Sequence, residues 1–106
     1  MNKRDSRPIE VGDRFEPRDS RDAGKIVVVV KAEGLSDRGR AQVERIEAGP
    51  ERVYGVGRES RMAWARERHT TYRIRTEAHP NNRSAVGRTV RAQENTLRDK
   101  YKRVSS

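Results

Sequence analysis

Five consecutive β-branched residues, Ile26 to Val30 in "KIVVVVKAE", constrain this chain more than any other feature of it. Branching at Cβ stiffens χ1 and suits a side chain to a pleated surface, so the run reads as a strand. Apolar side chains on both of its faces place that strand centrally in a sheet. The run also stands nearly alone. Only 31% of the 106 residues are hydrophobic and 39% are charged, against roughly 45–50% and about 25% in ordinary globular domains. Such a chain can bury one modest core in one small domain, and leaves other segments as tails or exposed loops.

The neighbouring segments build on that strand. "VGDRF" reads as a first strand, with Val11, Asp13 and Phe15 on one face. "EPRDSRDAG" is a loop, because Pro17, Asp19, Ser20, Asp22 and Gly24 each favour turns. After a turn at "GLSDRG", a third strand is expected at "RAQVERIEA", followed by an irregular excursion over "AGPERVYGVGRES". "RMAWARERH" has two readings: its composition suits a helix, while Met62 and Trp64 alternate as in a strand. A hairpin joining 61–68 to 71–77 is the favoured reading, with a short helix at 58–68 as its rival. "TTYRIRTEA" puts Tyr72 and Ile74 on one face of a strand and Arg73 and Arg75 on the other. "HPNNRS" is a turn, "VGRTVRAQ" a strand, "ENTLR" one helical turn capped by Asn95, and "KYKRV" a last short strand. Residues 1–9, with Pro8 and no periodic apolar face, are expected to form a disordered basic tail.

Strand, long charged loop, strand, turn, strand, and at the end strand, helical turn, strand: this order predicts a mostly β, SH3-like small barrel over 10–104. It would carry an inserted hairpin or short helix at about 48–85. "VGDRFEPRDSRDAGKIVVVV" resembles the opening of KOW-type domains, through Gly12, Asp13, Gly24 and Lys25. "VGRTVRAQENTLRDKYKRV" is similar to the close of short SH3-like proteins encoded by GC-rich bacteria and their phages, through Gly87, Arg88, Thr89, Leu97 and Tyr101. The resemblance spans about 10–47 and 86–104. It departs from the KOW pattern at Pro17 and Arg18, which stand where mid-loop glycines would be. It implies an SH3-like fold and a KOW-like role on RNA or ribosomes.

Charge narrows the class of partner. The formal net charge is +9, and almost all of it comes from residues 54–106, where 13 Lys and Arg face 5 Asp and Glu. Codon bias in a GC-rich genome accounts for Arg outnumbering Lys by 20 to 5, but not for a surplus confined to one half. An acidic partner follows, nucleic acid first and an acidic protein second. No segment approaches the ~20 apolar residues of a membrane span, and the basic start lacks the apolar stretch of a signal peptide. A cytoplasmic protein that does not engage membranes is therefore expected.

Enzyme chemistry finds little purchase. The chain has no Cys, which removes thiolate zinc sites and disulfides. "RDAGKI" imitates a phosphate loop only at Gly24 and Lys25: Asp19 replaces the first glycine and Ile26 the hydroxyl residue that meets magnesium. "GVG" at 55–57 lacks the third glycine of a dinucleotide loop. His69 and His79 flank a strand without further ligands beside them. No enzyme, metal or cofactor is expected.

Nucleic-acid contacts are expected instead from two strand faces and the C-terminal run. Arg73 and Arg75 stand ~6.5–7 Å apart along their strand, with Arg66 and Arg68 on the expected partner strand. Arg88, Arg91, Arg98, Lys100 and Lys102, with Arg103 beside them, form the densest run, opposed only by Glu94 and Asp99. Trp64, among Arg61, Arg66 and Arg68, would stack on a base if exposed, although an only Trp more often belongs to the core. Without a long helix to read base edges, binding should be to phosphates, salt-sensitive and weakly sequence-selective.

Overall fold

The β-branched run is the middle of a sheet. A computed structural model describes residues 5–104, and in it β2 (Ile26–Leu35) pairs on one side with β1 (Arg14–Pro17) and on the other with β5 (Thr70–Ala78). β6 (Thr89–Gln93) adds to β5, and β7 (Tyr101–Arg103) returns to add to β1, giving the antiparallel order β6-β5-β2-β1-β7. The sheet is open, with β6 and β7 at its two edges. Two short strands, β3 (Arg52–Val53) and β4 (Val56–Gly57), form a separate hairpin. Three helices complete the chain: α1 (Asp37–Ala48), α2 (Arg58–His69) and α3 (Glu94–Lys100).

This is a mixed α/β arrangement, not a mostly β closed barrel. The expected third strand at 40–48 is helix α1. Ser36 caps it, its Oγ accepting from Gly39 N at 3.1 Å, and at the other end Gly49 N donates to Ile46 O at 3.1 Å. Gly39, Val43 and Ile46 then share one face at the helical spacing of four and three residues. Residues 61–68 also fold as a helix, the rival of the favoured hairpin, because Met62, Ala65 and His69 line up toward α1 at the same period. The strands at 26–30 and 71–77 lie where expected, and "ENTLR" opens α3. The strand expected over 86–93 forms over Thr89–Gln93, and the one expected over 11–15 begins at Arg14, with Val11 exposed in the turn before it. Asn95 is inside that helix rather than its cap, which is Gln93. Between β2 and β5 the chain leaves the sheet over 37–69, where an insertion at about 48–85 was expected.

One face of the sheet holds the core. Phe15, Val27, Val29, Tyr72 and Ile74 point to it, Leu97 of α3 is completely enclosed by it, and Ala92 and Tyr101 pack at its margin. Ile9 joins this cluster, so the expected disordered tail is revised over 5–9; residues 1–4 lie outside the described residues. Arg103 fastens that segment. Its guanidinium lies 5.3 Å from the Phe15 ring, pairs with Asp5 at 2.9 Å and with Asp13, and donates to Pro8 O at 3.1 Å.

Helices α1 and α2 meet at a glycine. A Cβ on Gly39 would come within 2.3 Å of His69 Cβ and 2.9 Å of Leu35 Cδ1, so only Gly permits this approach. The contact is reinforced where His69 Nε2 lies 2.8 Å from Gln42 Oε1. Among the described residues, no helix is long and apolar enough to cross a membrane.

Two stability outcomes follow from these contacts. Gly39→Ala should cost about 1–3 kcal/mol by forcing the helices apart, measured as a lowered urea midpoint. Asp5 is held well below the ordinary carboxylate range, chiefly by hydrogen bonds from Arg7 and then from Arg103. A depressed folded pKa adds stability above the unfolded value of 3.8 and loses it as pH falls below that. Arg103→Ala should therefore flatten the loss of stability between neutral pH and pH below 4, followed by thermal melts across that range.

Candidate nucleic-acid interface

Alternation along each strand sends every second side chain to the face opposite the core. The ladders place Arg14 opposite Val28, Val28 opposite Arg75, and Arg75 opposite Thr89. Two residues along β5 and β6, and three along β2 across a register shift between Val29 and Lys31, Lys31, Arg73 and Arg91 stand opposite one another on three adjacent strands. Lys102 joins the same face through its pairing with Glu16. The outer face thus carries Arg14, Lys31, Arg73, Arg75, Arg91 and Lys102, and the carboxylates Glu16, Glu33 and Glu77. Val28 is the apolar floor between Arg14 and Arg75; it is buried although it points outward. Long arginine stems shield apolar surface in this way while their charged ends stay in water.

Each carboxylate on this face is already engaged. Glu77 binds Arg14 at 2.8 Å and Glu16 binds Lys102 at 3.2 Å. Glu33 is shared: Arg91 Nε donates to Oε1 at 2.8 Å, and Arg73 Nε to Oε2 at 3.3 Å. The Arg91 hydrogen bond is the main reason Glu33 is held below its ordinary pKa, with Arg73 adding to it against the effect of burial. Glu77 is lowered in the same sense, first by Arg14. Six cations against three carboxylates leave the face positive. Lys31, Arg73 and Arg91 are like charges set side by side at ~4.8 Å strand spacing, an arrangement that costs stability in a sheet. One glutamate relieves it only in part.

The nine basic residues expected at the interface separate into groups. Arg73, Arg75 and Arg91 come together on the outer face, and Arg88 lies exposed in the turn leading into β6. Lys102 is on the same face but at the far edge, paired with Glu16. Arg66 and Arg68 are exposed on helix α2, not on a strand beside Arg73. Lys100 is exposed at the end of α3. Arg98 serves the fold: its side chain is only 9% exposed, pairs with Glu94 at 3.1 Å and Glu67 at 3.4 Å, and donates to Asp5 O at 2.6 Å. Arg14 and Lys31 were not among the residues expected at the site. The signal that finds them is cross-strand register, which sequence spacing does not contain.

Trp64 is exposed, at 76% of its full surface. It stands with Arg61 and Arg68 on one side of α2, at the rim of a groove of about 570 Å³. Its exposure departs from the common fate of a sole tryptophan. Among the described residues, no three His, Asp or Glu side chains are grouped to hold a metal ion.

No family model matches the chain, and neither does a curated protein or a solved structure.

The division between fold and face is measurable. Arg98→Ala should cost about 2–4 kcal/mol, since it removes a nearly buried guanidinium together with its ion pairs to Glu94 and Glu67. Arg75→Ala, exposed on the open face, should cost less, about 0.5–1 kcal/mol, because only the stem that shelters Val28 is lost. Chemical denaturation of the two variants reads the difference directly.

Proposed function

We propose that this protein binds nucleic acid through the outer face of its sheet, by contacts to backbone phosphates. The observation that carries the reading is the cross-strand row of Lys31, Arg73 and Arg91 on the face of the sheet opposite the core. A row of like charges is unfavourable in the free protein, and an anion laid across it turns repulsion into charge-assisted hydrogen bonds. Arg75 and Arg14 extend the row along the strands, and Arg88 continues it beyond the end of β6. Little on this face suits the reading of base edges, so sequence selectivity would be low.

The finer fold reading belongs to the same proposal. A four-strand meander, one short helix and a fifth strand that pairs with the first is the chain path of SH3-like domains. Here that path would be opened at its edges and expanded by the α1 to α2 segment. SH3-like folds serve nucleic acids and proteins alike, so the assignment rests on the face and not on the fold.

An acidic protein is the second reading. The β3–β4 turn favours it, where Tyr54 is fully exposed at φ 50° beside Gly55 at φ 79°. An aromatic ring displayed on a tight turn is a form of anchor for a protein partner.

A salt titration separates the two. Fluorescence anisotropy with a random duplex and a random single strand should give a log-log slope of roughly −0.7 to −0.9 per phosphate contacted. Arg73→Glu with Arg75→Glu should weaken binding at least tenfold and reduce the slope by about two, with folding retained. Affinity that is unchanged in this variant would move the interface elsewhere. No binding to either probe at low salt would leave the acidic-protein reading in its place.

A further inference from the structure

The outer face continues into the Trp64 groove. On β6, Thr89, Arg91 and Gln93 alternate toward the outer side, and Gln93 is also a wall of the groove. Arg91 and Gln93 are therefore ~6.5–7 Å apart along the strand, so a chain of phosphates held at Arg91 reaches the groove without a break.

The groove has the parts that hold a flat polar ring. Arg61, Trp64 and Arg68 project from one side of α2 at helical spacing. The Trp64 indole is free to stack, because the described residues leave 76% of it exposed. Ile46 and Ala65 supply apolar floor, and Gln93 and Asn95 supply amides. Two polar atoms of this wall lack partners among the described residues: Arg61 Nε, a donor, and Asn95 Oδ1, an acceptor. Both are shielded from water, which makes their unsatisfied state costly. A donor and an acceptor on the lining of one groove match the complementary groups on the edge of a nucleobase. The two carboxylates of the wall do not oppose this. Glu67 pairs with Arg98 at 3.4 Å, and Asp99 also has an interaction of its own. Arg61, by contrast, spends its Nη2 on the neutral carbonyls of Pro50 and Glu51 and keeps its charge for an anion. A volume of about 570 Å³ lies within the roughly 300–1,000 Å³ typical of small-ligand pockets.

We infer that this groove receives one unstacked base of a single-stranded nucleic acid whose backbone lies along the outer face, with Trp64 as the stacking platform. The inference rests on the backbone-binding reading and adds the partner's form: a single strand, whose bases are free to turn out, in preference to a duplex, whose bases are stacked and paired.

Trp64 is the only tryptophan, so its fluorescence reports on the groove alone. The probes are a short oligothymidylate, an abasic strand of equal length and charge, and a duplex of equal length. Oligothymidylate should quench Trp64 emission, and the abasic strand and the duplex should not. Trp64→Ala, which removes an exposed side chain and should leave the urea midpoint unchanged, is expected to weaken oligothymidylate about tenfold while leaving the abasic strand unaffected. Trp64→Phe should recover most of the loss. Equal affinity for oligothymidylate and abasic strand, or an unaltered Trp64→Ala variant, overturns the inference. If the Arg73→Glu, Arg75→Glu variant still loses binding in that case, the backbone reading survives without it. If none of the three probes binds, both readings fall.

Discussion

The chain has enough apolar side chains to cover one face of a five-stranded sheet, and the rest of the molecule depends on that shortage. Ile9, Phe15, Val27, Val29, Tyr72, Ile74 and Leu97 are used up on the core side. Among the described residues, the opposite side has only Val28 as a buried apolar residue, sheltered between Arg14 and Arg75. A sheet normally solves this by alternation, with polar residues toward water. In this protein the outward positions are filled mainly by arginine and lysine, and the face away from the core becomes a positively charged platform.

That economy gives the charged residues distinct tasks. Arg98 and Arg103 are structural: one ties α3 to α2 and to Asp5, the other ties residues 5–9 to β7 and lies over Phe15. Arginine suits such work because its planar fork holds several acceptors at once and its charge is weakly hydrated. Arg73, Arg75 and Arg91 lie on the open face, where solvent screening makes the pairs that Arg73 and Arg91 share with Glu33 weak. Weak pairs exchange readily for a multivalent anion. The distinction between these two sets is one of burial, and net charge alone cannot express it.

Much of the sheet was legible in the sequence, and much of the helical part was not. Five β-branched residues fixed β2, and the alternation of Tyr72 and Ile74 with Arg73 and Arg75 placed β5 and its two faces correctly. Helix α1 was missed although its signals were present: Ser36 before it, Asp37 in its first turn, Gly49 and Pro50 after it. Val43 and Ile46 are the only large apolar residues of that segment, and their three-residue interval is too short a pattern to tell a helix from a strand. Helix α2 was ambiguous for a similar reason, since Met62 and Trp64 imitate a strand while Trp64 in fact faces solvent. Gly39, which reads as a turn former, is a close-approach residue whose role needs His69 from 30 positions away. The candidate face was half visible. Its β5 and β6 arginines came from alternation, but Arg14 and Lys31 join them only through register, and Arg98 leaves them only through burial.

The central claim is that the bare face of the sheet is where a polyanion lies, and backbone amide shifts test it most directly. Titrating a labelled sample with a short single strand at low salt should move the resonances of residues 14, 28, 31, 73, 75, 89 and 91 together, and those of Val27, Val29 and Leu97 little. Shifts confined to α1 and the β3–β4 hairpin, with β5 and β6 silent, would contradict the account.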